Sequence, residues 1–234
     1  MHTPRINAEL SVGSSPELYV DRPNFGRSAN PISSSAVPVV PISDSHAYDV
    51  FAQNLANGAG YGWTAHSPSA YWPVGTSFVY SLFFRFFGHN YFQIAILNIF
   101  LGLLTIWLSM HLAKHFFDQR VAVITGILLA LWPSQIQFTT VLASEQLFTA
   151  LIVLSLAIWT NESLALWFRS GVIGIVLAGA SYVKPIALLI PILLFVLEYA
   201  KTREIAKSFI SMVIMFILIS MGQFPAALQR KMQG

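Results

Sequence analysis

Asp44, His46 and Asp49 stand close together in a segment that also carries Tyr48, Phe51, Ala52 and Leu55 at helical spacing. A carboxylate held beside a low-dielectric wall gains proton affinity and a strong local field, which makes Asp44 a candidate general base or metal ligand. Its plainer role is to open a helix, with Ser43 or Asp44 as the cap. Glu145 is the second candidate, because it heads the run Leu142-Ala143-Ser144-Glu145-Gln146-Leu147-Phe148 with no other charge nearby. An ionisable group near membrane depth is costly and marks a functional position, although a helix N-terminus would also stabilise it. Lys184 interrupts the apolar stretch Ser181-Tyr182-Val183-Lys184-Pro185. Its ammonium suits a phosphate as a compact point charge, or an interfacial anchor on a long apolar stem. Arg85 carries the same two readings. His46 and His66 could join Asp44 or Glu145 around a divalent ion, since imidazole and carboxylate are ordinary metal ligands, but no metal-ligand spacing is present. His89, His111 and His115 read as membrane-boundary residues.

The composition states what kind of molecule must hold these groups. The 234 residues are 55% hydrophobic and 10% charged, with a mean hydropathy of +0.63. A soluble globular chain carries about 25% charged residues, so this is a membrane protein. The formal charge of +3 comes from Lys and Arg scattered between apolar runs, which disfavours a nucleic-acid partner. The absence of Cys removes disulfides, thiolate nucleophiles and cysteine-ligated metals. No phosphate-binding loop, dinucleotide fingerprint, serine-hydrolase elbow or paired-His zinc helix occurs.

Along the chain, residues 1–43 read as a disordered polar tail without a signal peptide or a membrane span. Residues 44–90 read as an external loop with short juxtamembrane helices. The first opens at Ser43 or Asp44 and stops at Gly58 and Gly60, and the second lies within 71–88, too short to be a clear span. Between them gather Tyr61, Trp63, Tyr71 and Trp72, which could line a sugar or lipid entry site. Residues 91–226 read as a bundle of about six spans, at 91–113, 121–142, 145–161, 165–182, 185–200 and 208–226, followed by a terminal tail at 227–234. Lys114 and Arg120, then Arg169, then Lys201, Arg203 and Lys207 fall on one side, which the positive-inside rule makes cytoplasmic. Asp44, the loop 132–145 and the turn at Lys184 then share the opposite face. The expected fold is an all-α polytopic transmembrane helical bundle. A transporter gains little from this pattern, because no inverted repeat is evident and intramembrane charges are few.

The order of these pieces carries a resemblance. After Asp44 comes a Tyr-containing helix ending in Gly-Ala-Gly-Tyr at 58–61, then Tyr-Trp-Pro-Val-Gly at 71–75, an apolar run closing in Phe-Phe-Gly at 86–88, and a long span. Ala-Lys-His-Phe-Phe-Asp-Gln-Arg at 113–120, Leu-Ala-Leu-Trp-Pro at 129–133, Ser-Glu-Gln-Leu-Phe at 144–148 and Tyr-Val-Lys-Pro at 182–185 follow in order. The chain resembles the bacterial GT-C glycosyltransferases of the dolichyl-phosphate-mannose protein mannosyltransferase and aminoarabinose-transferase type, glycosyltransferase family 39 or 83.

That resemblance implies an inverting transfer of a sugar from a polyprenyl-phosphate donor to a glycan, lipid or protein acceptor on the external face of a bacterial inner membrane. It makes Asp44 the catalytic base and Glu145 the acidic residue that supports the acceptor, a divalent metal or the site's geometry. Lys184 is then a candidate for the donor phosphate, with Arg85, Tyr48, Tyr71 and Trp72 as further substrate-binding candidates. Where the family commonly has Asp-Glu, this chain has Asp44-Ser45. The family also has a membrane span directly before the acidic residue and further spans beyond the point reached here, so the expected chain is the first half of the fold without its first span. The alternative reading is an accessory or inactive membrane protein that keeps this half.

Overall fold

The computed structural model describes residues 41, 43–64, 67–69 and 71–232, with only the backbone described at 67, 68 and 223–232. The expected polar tail, apart from residues 41 and 43, lies outside the described residues, as do His66 and the last two residues.

Helix α1 spans Asp44–Ala56 and buries Ala47, Tyr48, Phe51 and Ala52, the face that the apolar spacing anticipates. Ser43 occupies the capping position at φ 56 without a side-chain cap hydrogen bond, so Asp44 is the first helical residue and not the cap. Gly58 and Gly60 follow the helix at φ 75 and 93, a backbone region that glycine enters without steric cost. A short antiparallel ribbon of β1, Gly62–Thr64, and β2, Ser67–Pro68, leads to α2, Val74–Phe87, which starts after Pro73.

The bundle then runs through α3, Tyr91–Phe116, α4, Gln119–Ala130, and the short α5, Pro133–Gln137, before α6, Glu145–Trp159. It continues through α7, Leu166–Val183, a 3-10 turn at Pro185–Leu189, α8, Ile190–Thr202, and α9, Ile205–Met232. Asn90 and Asp118 cap α3 and α4 by accepting from the N–H groups of Phe92 and Val121 at 2.9 and 2.8 Å. Among the described residues four segments are long and apolar enough to cross a membrane: Tyr91–Phe116, Leu166–Val183, Pro185–Thr202 and Ile205–Gly222. α4 and α6 are shorter. Within the expected span at 121–142 the helix stops at Ala130, because Pro133 supplies no N–H to extend it. The 12 residues of α4 rise about 18 Å, short of a hydrocarbon core of about 30 Å.

Two apolar clusters hold these helices. Tyr48, Ala52, Tyr80, Phe84, Ile94 and Leu142 join α1, α2 and α3 to the irregular segment before α6. Trp159, Ile173, Leu177, Leu194, Met215 and Ile219 join α6 to α9. Between them α2 abuts the end of α7 at Gly75, where a Cβ would stand 2.7 Å from the backbone carbonyl carbon of Tyr182. Only glycine permits that approach.

The up-and-down order gathers Arg169, Glu198, Trp159, Lys201 and Glu162 at one end of the bundle. Glu198 is buried, accepting from Arg169 at 2.9 Å and from the Trp159 indole at 2.7 Å. Lys201 pairs with Glu162 and lies 5.5 Å from the Trp159 ring centre. Asp44, Glu145 and Lys184 meet at the other end.

Candidate functional site

A cavity of about 310 Å³ is lined by Ser43, Asp44, Ser45 and Tyr48 of the α1 entry, by Phe138 and the segment 141–145, and by Lys184. Its α1 wall is fixed from beneath. The buried Asp49 carboxylate accepts from the Tyr91 hydroxyl at 2.8 Å and Gln53 Nε2 at 3.1 Å, and its other oxygen lies 2.8 Å from His89 Nε2. These contacts tie α1 to the start of α3. At the preceding residue, the Tyr48 carbonyl accepts from Ser77 Oγ at 3.3 Å. Asp44 itself accepts from the Trp72 indole N–H at 3.3 Å.

The opposite wall has no regular structure, so its polar backbone groups need partners from elsewhere. Tyr80, buried on α2, donates to the carbonyl of Ala143 at 2.8 Å and accepts from its N–H at 3.3 Å. Asn98 of α3 donates to the carbonyl of Val141 at 3.1 Å. Just behind, Gln146 Nε2 donates to the Gln135 carbonyl at 2.8 Å, and Gln135 Nε2 returns a bond to Gln146 Oε1 at 3.2 Å. This lattice sets Glu145 at the first position of α6, where the helix N-terminus favours its charge.

Lys184 closes the ring. It ends α7 in extended conformation, donating its N–H to Ala180 at 2.8 Å, and its Nζ reaches Glu145 Oε1 at 2.8 Å. The ammonium also stands 5.7 Å from the Phe148 ring centre. Both ends of the pair keep about a third of their side-chain surface open, at 35% for Lys184 and 37% for Glu145. The pair is therefore accessible from the cavity.

Beside Asp44 lies an aromatic cluster organised around the fully buried Phe51, which meets Tyr61, Trp63 and Trp72 edge to face at 4.7, 5.0 and 5.9 Å. The Tyr61 hydroxyl donates to the carbonyls of Trp72 and Pro73 at 2.9 and 3.2 Å. Burial pushes its proton affinity well above the usual phenol range, so it remains a donor. Trp72 is thus held from both sides and presents its N–H to Asp44.

Asp44, Tyr48, Glu145 and Lys184 come together on this cavity, and Trp72 joins them through Asp44. Three other expected residues are placed elsewhere. Arg85 is exposed in the last turn of α2 and does not line the cavity. Tyr71 is 82% exposed and packs on Trp72 at 4.5 Å. His46 lies 5.7 Å from the Trp63 ring and shares no ligand set with Glu145, whose partner is Lys184. Among the described residues no three His, Asp or Glu side chains converge as a metal site, and His66 lies outside those residues.

Tyr80, Asn98 and Glu198 are not among the residues that the sequence singles out, and His89, read there as a boundary residue, also meets Asp49. Asn98 and Glu198 carried a usable signal, each a lone polar group within an apolar helix. Tyr80 carried none, since one Tyr in an aromatic run looks like its neighbours.

The geometry offers a carboxylate on one wall and a cation on the other, with Phe138 and Val141 also lining the cavity. Such an arrangement can hold an anion at the cation and accept a proton at the carboxylate. No curated protein and no solved structure matches the chain. The family model of dolichyl-phosphate-mannose-protein mannosyltransferase matches residues 72–222, a segment that contains Trp72, Tyr80, Glu145 and Lys184 and covers well over half of the sequence. On that match the chain belongs to the dolichyl-phosphate-mannose-protein mannosyltransferase family.

Proposed function

We propose that this protein transfers a sugar from a polyprenyl-phosphate donor to an acceptor hydroxyl on a glycan, lipid or protein at the external face of a bacterial inner membrane, with inversion at the anomeric carbon. The acceptor oxygen attacks that carbon, its proton passes to the Asp44 carboxylate, and the bond to the phosphate oxygen breaks with the electron pair leaving on the polyprenyl phosphate. Lys184 faces the negative charge that develops there, an electrostatic role that strengthens as the bond breaks. Glu145 orients Lys184 and the acceptor. Trp72 holds the Asp44 carboxylate by its indole N–H.

The observation that carries this reading is the placement of Asp44, Glu145 and Lys184 on one cavity. That cavity lies at the end of the bundle away from Arg169 and Lys201, and so on the external side if those basic positions face the cytoplasm. The family match begins at Trp72, so Asp44 lies outside it and enters the reading by the resemblance of the sequence around it and by its place on the cavity.

The test is transfer by purified protein in lipid, with polyprenyl-phosphate sugars as donors. Asp44→Asn is expected to abolish transfer at normal expression. Wild-type protein that transfers from no such donor would favour an accessory role instead. Because the chain has no Cys, Asp44→Cys labelled from outside intact cells tests the orientation, and labelling only after lysis would reverse it.

A further inference from the structure

Glu145 and Glu198 are both acids paired with a cation, and the contrast between them shows what the cavity pair is built to do. Glu198 has both oxygens occupied, by Arg169 and by Trp159, and its pair is sealed at 7% and 6% side-chain exposure. Nothing can exchange there without leaving a buried charge. Glu145 accepts from Lys184 alone among the described residues, and the pair opens onto the cavity. Such a pair is held weakly. Glu145 also begins α6, so its charge retains the helix N-terminus when the ammonium leaves. Lys184 in turn keeps the Phe148 ring as a second neighbour.

We propose that Lys184 is an exchangeable cation, held by Glu145 until the phosphate of the lipid donor displaces that carboxylate from its Nζ. The inference rests on the reading of this cavity as the donor site. The donor phosphodiester carries one negative charge, and the departing polyprenyl phosphate carries more, so the pull on Lys184 grows as the sugar leaves. A phosphate monoester approaches −2 near neutral pH. Glu145, freed from the ammonium, turns to the acceptor side. After transfer it competes for Lys184 again and so assists product release. The carboxylate is thus a rival of the phosphate, and its removal strengthens phosphate binding.

The experiment measures equilibrium binding of polyprenyl monophosphate to the protein in nanodiscs, with polyprenol of the same chain length as the control for the lipid tail. Size exclusion and thermal melting establish that each variant is folded. Lys184→Gln is expected to weaken phosphate-dependent binding about tenfold, the loss of one charge-assisted contact. Glu145→Gln is expected to tighten it about two- to fivefold, the weight of a partly exposed ion pair, with less gain at high salt. In the Lys184→Gln background, Glu145→Gln should change nothing, which closes the double-mutant cycle.

Binding that weakens in Lys184→Gln but does not tighten in Glu145→Gln would overturn the exchange and leave the donor site standing. Equal tightening in both backgrounds would mean simple repulsion through space, and would also overturn it. If Lys184→Gln binds as wild type does, the donor-site reading falls. Should Glu145→Gln not fold, Glu145→Asp keeps the helix-start charge on a shorter arm and is expected to tighten binding about twofold. Unchanged affinity in that variant would count against the exchange.

Discussion

Tyr80 and Ala143, 63 residues apart, satisfy each other twice: the phenol donates to the Ala143 carbonyl at 2.8 Å and accepts from the Ala143 N–H at 3.3 Å. One side chain of α2 thereby completes the backbone bonding of the wall that leads into Glu145. Tyr80→Phe keeps the ring in the apolar cluster and strips both bonds at a buried site. The expected cost is about 1–3 kcal/mol, read as a lower melting temperature in detergent, with slower transfer because Glu145 loses its support. Unchanged melting would show that the wall is held by other contacts.

Gly75 sets how closely α2 meets the end of α7. A methyl group there meets backbone and not a movable side chain, at 2.7 Å from Tyr182. Gly75→Ala is expected to destabilise by about 1–3 kcal/mol or more and to displace Lys184, two residues further on. Gly171→Ala, which meets nothing within 4 Å inside α7, is the matched control and should melt at or slightly above wild type.

Trp72→Phe retains an aromatic ring near Phe51 but removes the N–H that Asp44 accepts. With the carboxylate less firmly oriented, the turnover number should fall about tenfold or less while melting changes little, since one partly exposed hydrogen bond contributes about 1 kcal/mol. A loss of folded protein in place of turnover would make Trp72 a structural residue alone.

At the far end of the bundle, Glu198→Ala leaves the Arg169 guanidinium buried without its acid and is expected to cost about 3–5 kcal/mol. Arg169→Met combined with Glu198→Leu should recover most of that stability. The double variant should also retain transfer, because the cluster lies away from the cavity. Yield and melting temperature read the first expectation, and specific activity the second.

The neighbouring Glu162 gives the pH dependence. Its hydrogen bond with Lys201 holds the carboxyl below the usual range, so the folded state binds that proton less readily than the unfolded chain. The resulting stability is present above the ordinary carboxylate range and is lost as pH falls through the lowered value. Because Glu162 is solvent-exposed, the effect should be slight. Comparing melts of wild type and Glu162→Gln from neutral to acid pH tests the sign: the difference should shrink on acidification and never grow.

Much of the class, and the charged residues of the candidate cavity, could be read in one dimension. A 10% charged chain has few places for an ion, so Asp44, Glu145 and Lys184 stand out against apolar neighbours. Helix segments are also local, since apolar runs, Asn90 and Asp118 caps, and Pro133 act within a few residues of themselves. Pro133 marks a break in the apolar run 121–142, but where the helix ends, at Ala130, depends on the backbone bonds formed before it.

Partnership was not legible. Lys184 meets Glu145 across 39 residues, and Asp49 meets Tyr91 across 42. Neither spacing has a period that a helix would repeat. Periodicity tells which face of a helix is apolar, whereas the choice of neighbour depends on how α1, α2, α6 and α7 pack, and on a single glycine that lets two backbones touch. The residues supplied an acid, a second acid and a cation; helix packing made them one cavity, because hydrogen bonds and ion pairs form only between groups that packing has already brought within reach.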